Sequence, residues 1–213
     1  MGFNTYGSKT NVYGGFTPIW LDVDGVKQAG GSLKAPIAFA TDYPMGTVIP
    51  AGTPVYLAKS GGDLIPLQTF ELAVALLAGD TKIVFKNAGS VPQVKAGQFL
   101  MLAPATYAAT GTAYTVPAGG VVVGNNIETP IAAGSWGTAN AGDVFVLANG
   151  TGAGQSIFTT PNGLLWHDIV IEDGNTYATG AVVYDGSILV DRISPIPACV
   201  KAALPNINFE KES

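Results

Sequence analysis

The sequence predicts an all-β protein whose core is a compact barrel or sandwich, and three observations lead to this prediction. Twenty-eight glycines are scattered along the 213 residues, and no long stretch has helical periodicity. A turn followed by a short apolar run recurs along the chain. Asp-Gly and Asn-Gly pairs, which are typical of β-hairpin turns, occur at several positions. Little helix is expected.

The recurring unit is a small residue and a glycine placed before a run rich in β-branched and aromatic residues. It begins at Ala51, Ala96, Ala118 and Ala141, with a looser copy at Thr179. Glycine supplies the positive φ that a tight turn needs, and the apolar run suits a pleated surface. The spacing is too uneven for a solenoid or a propeller, so the repeats predict a barrel or sandwich.

The hairpin dipeptides and two short helices complete the prediction of elements. The pair Asp185-Gly186 is expected to close a hairpin over residues 180–191, and helices are expected over residues 70–78 and 198–204. The other predicted hairpin turns are Asp24-Gly25, Asn149-Gly150, Asn162-Gly163 and Asp173-Gly174.

These elements divide the chain into three parts. Residues 1–35 are rich in glycine and aromatic residues and are expected to form an extended N-terminal arm. Residues 36–67 and 156–213 are expected to form one β core. Residues 68–155 are expected to form an inserted β subdomain.

The charge content excludes several classes of protein. Only 12% of the residues are charged, about half the usual share, and the net charge is −5. Nucleic-acid binding usually needs a basic face, so no nucleic-acid partner is expected. No apolar run approaches about 18 residues, so no membrane association is expected, and no secretory signal is visible at the N-terminus. A surface so poor in charge suits a protein covered by neighbouring molecules.

The titratable residues form no catalytic constellation. The sequence has one histidine, His167, and one cysteine, Cys199, which leaves almost nothing for a zinc site and excludes a disulfide within the chain. Asp168 would point to the opposite face of a strand from His167, so it could not orient the imidazole as a triad residue would. We expect a structural histidine and a buried cysteine.

Three other motifs are better explained as turns than as sites. The glycine loop at residues 150–154 lacks the spacing and the following helix of a dinucleotide loop. Asp22 and Asp24 lack the later acidic ligand of a calcium loop. The pair Glu172-Asp173 precedes a glycine in a turn and is expected to be solvated. We therefore predict no cofactor, no metal and no enzymatic activity.

The aromatic side chains of the arm are the residues that most clearly suggest a binding role. The segment carries few charges and would be adhesive if it were left in solvent, so it packs either on its own core or on a partner. The candidate contact residues are Phe3, Tyr6, Tyr13, Phe16 and Trp20.

Two blocks of the sequence resemble the capsid decoration and head-fibre proteins of tailed bacteriophages. The first block comprises residues 49–58 (IPAGTPVYLA) and 62–67 (GDLIPL). The second comprises residues 162–171 (NGLLWHDIVI), 180–193 (GAVVYDGSILVDRI) and 197–209. Residues 68–155 have no counterpart in this resemblance.

The resemblance implies a non-enzymatic virion protein. It would be made in the host cytoplasm and would bind the exterior of an icosahedral capsid, reinforcing capsomer contacts or anchoring head fibres. The implied partners are the major capsid protein and neighbouring copies of the chain or other virion proteins.

Two other function classes stay open. A tail or fibre component would share this composition, and Tyr114 and Trp136 in the insertion would then be exposed contacts for a carbohydrate receptor; the alternative for Trp136 is a buried aromatic plug. A hydrolase is the third class and would require a nucleophile in contact with a base.

Overall fold

Five strands close into a barrel, and the described residues form three further sheets, of five, three and two strands. The computed structural model describes residues 19–34, 43–58, 62–86, 94–132, 135–172 and 178–212. The strands are β1 (Trp20–Leu33), β2 (Val48–Ile49), β3 (Pro54–Leu57), β4 (Gly62–Pro66), β5 (Thr69–Glu71), β6 (Lys82–Lys86), β7 (Phe99–Leu102), β8 (Gly111–Thr115), β9 (Val121–Val123), β10 (Asn126–Pro130), β11 (Val144–Leu147), β12 (Gly152–Gln155), β13 (Gly163–Leu165), β14 (Ile169–Val170), β15 (Thr179–Leu189) and β16 (Ile207–Glu210). The all-β prediction is confirmed.

The barrel closes because β1 pairs on both of its edges. The strand order is β1-β4-β3-β13-β15, and β15 pairs back onto β1 in an antiparallel ladder from Trp20 to Ser32. The β1–β4 pair is parallel, and β16 extends the sheet from β15. Part of the predicted N-terminal arm, residues 20–33, therefore belongs to the barrel wall. Aliphatic side chains such as Val55, Leu64 and Leu165 fill the interior.

The insertion is a pair of sheets stacked on the barrel. A five-stranded antiparallel sheet, β12-β8-β7-β11-β5, carries Met101 and Val146 in one apolar cluster with Leu164 and Val183 of the barrel strands. Its opposite face packs on the three-stranded sheet β6-β10-β9 in a second cluster that includes Phe85. The five-stranded sheet is thus the middle layer.

The same type of turn precedes four of the strands. At residues 44–47, 50–53, 95–98 and 140–143, the fourth residue donates its N–H to the carbonyl of the first, over 3.0–3.3 Å. The third residue of each turn is a glycine with φ of 80–89°, the pattern of a type II turn. A strand follows directly each time: β2, β3, β7 or β11. The predicted Ala-Gly turns at Ala51, Ala96 and Ala141 are confirmed.

Three of the predicted hairpin turns are wrong. Asp24-Gly25 and Asp185-Gly186 lie inside continuous strands and face each other across the β1–β15 ladder, where its register shifts. A Cβ on Gly186 would lie 2.6 Å from the carbonyl oxygen of Asp22, so glycine here permits two backbones to approach. Asn162 precedes β13 and hydrogen-bonds the backbone of Leu57 instead of turning the chain.

Two other hairpin predictions have different outcomes. Asn149-Gly150 lies in the connection between β11 and β12, which do not pair with each other, and the N–H of Asn149 donates to the carbonyl of Ser156 over 3.1 Å; the chain reverses here over a longer loop than the predicted two-residue hairpin turn. Asp173-Gly174 lies outside the described residues.

Helix is confined to two short elements in the described part of the chain. The predicted C-terminal helix is confirmed as α1 (Ala198–Ala202), and Val190–Arg192 form a 3-10 turn. The helix predicted over residues 70–78 is wrong: the segment contains β5 and bridges Leu72 to Phe85 and Leu76 to Ala139. Both leucines are buried, so tertiary pairing overrides a weak local preference. None of the helices in the ranges described above is long and apolar enough to cross a membrane.

Candidate functional site

The N-terminal arm enters the barrel at a buried anchor. Ile19 is 8% exposed, and its carbonyl accepts a hydrogen bond of 2.8 Å from the N–H of Leu189. The half-buried Trp20 donates its Nε1–H to the carbonyl of Trp166 over 3.2 Å. The indole N–H of Trp20 therefore makes its hydrogen bond within the protein. The predicted contact of Trp20 with a partner stays a prediction. The remaining predicted arm contacts lie outside the described residues; they are Phe3, Tyr6, Tyr13 and Phe16.

The two aromatic residues singled out in the insertion are in contact with each other. Tyr114 lies on β8, and Trp136 lies in the loop before β11; their rings stack with centroids 5.1 Å apart and an interplanar angle of 18°. Trp136 is only 5% exposed, so the prediction that it is an exposed contact is wrong, and the buried alternative is the one observed. Tyr114 is half-buried and remains partly accessible.

Trp136 is buried because it caps a continuous aromatic core. Its ring lies 6.0 Å from that of Phe145, and Phe145 lies 5.9 Å from Phe85 in an edge-to-face arrangement. Its loop is also fixed to the segment between β5 and β6, since Leu76 and Ala139 exchange two backbone hydrogen bonds of 2.8 and 3.0 Å. Packing on Phe145 and the backbone hydrogen bonds between Leu76 and Ala139 therefore fix the position of the Tyr114–Trp136 pair.

A groove of ≈ 360 Å³ lies beside this pair. Leu102 and Phe145 are paired residues of β7 and β11, and both line it. Thr112 and Tyr114 lie two residues apart on β8, so their side chains share one face of the sheet. The connection between β7 and β8 and the Gly137–Thr138 segment form the sides. The groove is thus an end of the middle sheet that none of the described residues covers.

The lining of the groove is apolar with hydroxyl groups and carries no charged side chain among the described residues that form it. Three exposed threonines, Thr110, Thr112 and Thr138, are among the residues that line it and form its rim. The sequence reasoning found Tyr114 and Trp136 but missed these threonines, because threonine is common in every strand and loop of this chain. The alternating Gly-Thr-Ala-Tyr-Thr of β8 was the one available signal.

The segment that carries His167 and Asp168 is held by contacts with other residues of the chain. Asp168 accepts a hydrogen bond of 2.7 Å from the N–H of Ala51 through its Oδ1 atom, and so holds the turn before β3. The His167 ring stacks on Trp166 with centroids 4.3 Å apart, and burial lowers the pKa of the imidazole. Asp168 therefore joins the connection between β13 and β14 to the turn at Ala51.

The remaining candidate residues have local structural roles. Cys199 is 3% exposed within α1, and burial raises the pKa of its thiol, so the predicted buried cysteine is confirmed. The glycine loop leads into the edge strand β12, where Gly152 and Gly154 have φ of 90° and 76°. No group of three or more histidine, cysteine or acidic side chains that could hold a metal ion occurs within the described ranges.

Comparisons of the chain with protein-family models, with curated proteins and with solved structures find no match.

Proposed function

We propose that this chain is a non-enzymatic structural protein that binds the outer surface of a phage icosahedral capsid, where it reinforces capsomer contacts or anchors head fibres. The proposal starts from the sequence resemblance of the two blocks that contribute β3, β4, β13, β15 and β16. The low charge content, 12% of residues, supports it because such a surface suits contact with many neighbours. The partners would be the major capsid protein and adjacent copies of this chain.

The observation that carries the proposal is the anchor at Ile19 and Trp20. Residues 1–18 contain four aromatic side chains and a single charged residue, Lys9, a composition suited to docking. Any load on this segment would pass into β1, which is hydrogen-bonded to β15 from Trp20 to Ser32 and to β4 at its other end. A pull along β1 would shear many hydrogen bonds together, so the barrel suits the role of a firm attachment body.

Symmetry would multiply a modest contact. A capsid offers many equivalent sites, so weak docking by each copy produces a strong combined attachment when copies also touch one another. A protein that binds the assembled shell and not its separated subunits stabilises the shell by mass action. The net charge of −5 is consistent with a position away from packaged nucleic acid.

The decisive experiment measures binding to capsids assembled from the major capsid protein of the same genome. The full chain is compared by co-sedimentation with a variant in which Phe3, Tyr6, Tyr13 and Phe16 are changed to serine. Loss of four aromatic contacts should weaken binding by about a hundredfold or more. The variant Leu21→Ser, which alters an exposed apolar residue of the barrel, is the control and should bind as the full chain does.

Light scattering of the same proteins separates this proposal from the fibre alternative. A soluble full chain that binds capsids only with its aromatic arm supports the capsid proposal. An obligate trimer that dissociates when the arm is changed, and that does not bind capsids, would replace it with a fibre component. Equal capsid binding by both proteins would remove the arm from the proposal.

A further inference from the structure

We infer that the groove beside Tyr114 and Trp136 is a binding site for an uncharged saccharide. This inference goes beyond the proposed attachment function and does not depend on it. It assigns a ligand class to the insertion, the part of the chain outside the family resemblance. The sugar would pack against Tyr114, whose ring is stacked on the buried Trp136, and its hydroxyls would reach the threonines that line the groove.

The size of the groove is suitable for a short oligosaccharide. Its volume of ≈ 360 Å³ falls at the lower end of the range for small-molecule sites. One end of the middle sheet forms it, with Leu102 as an apolar contact that is 39% exposed. A site of this shape admits a ligand from the side, as an internal segment of a glycan chain requires.

The chemistry of the lining matches a neutral sugar. A pyranose ring has an apolar face of C–H groups that packs on an aromatic ring, and the partly accessible Tyr114, supported by the buried Trp136, supplies such a ring. Each threonine hydroxyl both donates and accepts a hydrogen bond, as each sugar hydroxyl does. An ionic ligand would be desolvated here without a charged partner among the described lining residues, which disfavours it.

The site is also preorganised. Trp136 is 5% exposed and contacts Phe145, so the aromatic wall does not have to become ordered when a ligand binds. Gly137 has a φ of 62°, and a Cβ there would lie 3.5 Å from the hydroxyl of Tyr114. The loop therefore passes close to the Tyr114 hydroxyl without a side chain covering it.

A proline-rich peptide is the principal competing ligand, because such peptides also bind aromatic-lined grooves. The lining favours a saccharide because three hydroxyls surround the groove, and a proline-rich chain has few donors to satisfy them. The two ligands are therefore alternative outcomes of one experiment.

The test is saturation-transfer NMR and calorimetry on the full chain with uncharged hexasaccharides: maltohexaose, cellohexaose, mannohexaose and N-acetyl-chitohexaose. At least one should bind at concentrations up to about 10 mM, typical of a single shallow site. Thr112→Val and Thr138→Val each remove one hydroxyl and should weaken binding by about threefold to tenfold. Tyr114→Ala should abolish it, with circular dichroism used to verify folding.

Thr115→Val is the matched control, since Thr115 is an exposed threonine of the same strand that points to the other face. It should bind the sugar as the unchanged protein does. Failure of all four sugars to bind would overturn the inference, and so would equal weakening by Thr112→Val and Thr115→Val. Binding of a decaproline peptide that Thr112→Val alone weakens, without binding of any sugar, would replace the saccharide with a peptide.

Discussion

The barrel and the insertion are both built from short strands, but they use their edges and cores differently. In the barrel, β1 pairs with both β4 and β15, and the interior is filled mainly by aliphatic residues. In the insertion, the sheets end in the strands β6, β9, β5 and β12, and the core contains a chain of aromatic rings. All three valines of β9 are at least 47% exposed.

This difference suits the two regions to the two roles proposed above. A closed ladder offers few unpaired backbone groups, and its small interior is filled by side chains, so the barrel is suited to bear load. The open sheets leave an end that no described residue covers, and the ligand inferred above would bind there. The two regions nevertheless share an apolar cluster in which Met101 and Val146 join Leu164 and Val183.

The largest effect is expected from the core of the insertion. Phe85 is fully buried and contacts Phe70 at 5.6 Å and Phe145 at 5.9 Å. Phe85→Ala should lower the free energy of unfolding by about 3–5 kcal/mol, and Leu64→Ala in the barrel by about 2–5 kcal/mol. Because the regions share an apolar cluster, urea titrations followed by fluorescence and circular dichroism should give one coincident transition for each variant. A separate early transition in Phe85→Ala would show that the insertion unfolds alone.

A smaller effect is expected at the junction between the two regions. Gln68 follows the last barrel strand before the insertion, and Gln98 precedes β7. Both side chains are buried, and the Nε2–H of Gln98 donates a hydrogen bond to Oε1 of Gln68 over 3.0 Å. Gln98→Leu leaves a buried amide without this partner and should cost about 1–3 kcal/mol.

The double variant measures how strongly these two side chains are coupled. Gln68→Leu with Gln98→Leu should cost less than the sum of the single changes, measured by urea unfolding, because both amides are removed together. Additive costs would mean that the hydrogen bond contributes nothing to stability.

The smallest effect is a pH dependence of the free energy of unfolding that comes from His167. Burial lowers the pKa of His167 below its ordinary value of 6.5, so the unfolded chain takes up the proton more readily than the folded one. The free energy of unfolding should therefore fall as the pH drops below about 6.5 toward the folded pKa. His167 makes its full contribution to the free energy of unfolding at pH values above the pKa that its imidazole has in the unfolded chain.

The measurement for His167 compares urea midpoints of the unchanged protein and His167→Gln at about pH 8 and pH 5. The unchanged protein should lose more stability between the two values, and the difference between the proteins isolates the histidine from the carboxylates. Identical losses would contradict the effect of burial on this imidazole.

The fold could be predicted from the sequence where a turn depends only on its own residues. Gly52, Gly97 and Gly142 each need a positive φ, and the turn they make does not depend on the rest of the chain. Asp24-Gly25 and Asp185-Gly186 satisfy the same local rule for a hairpin, yet their glycines serve a close approach of two distant strands. That approach arises only when the barrel closes, so no local pattern could reveal it.

The candidate site could be predicted in part for the same reason. Trp136 in a glycine-rich loop and Tyr114 in a strand were recognisable as unusual residues, but their burial depends on Phe145 and on the pairing of Leu76 with Ala139. The threonine rim is assembled from the β7–β8 region and a loop more than twenty residues later. Which of the many threonines meet there is fixed by the register of the sheets.

The pairing of β1 with β15 also determines when the protein can fold. Trp20 pairs with Ile188, so the barrel cannot close until nearly the whole chain has left the ribosome. The insertion, whose strands β5 to β12 lie between residues 69 and 155, can pair earlier because its contacts are closer in sequence. During synthesis, β1 must therefore remain without its β15 partner while the strands of the insertion pair with one another.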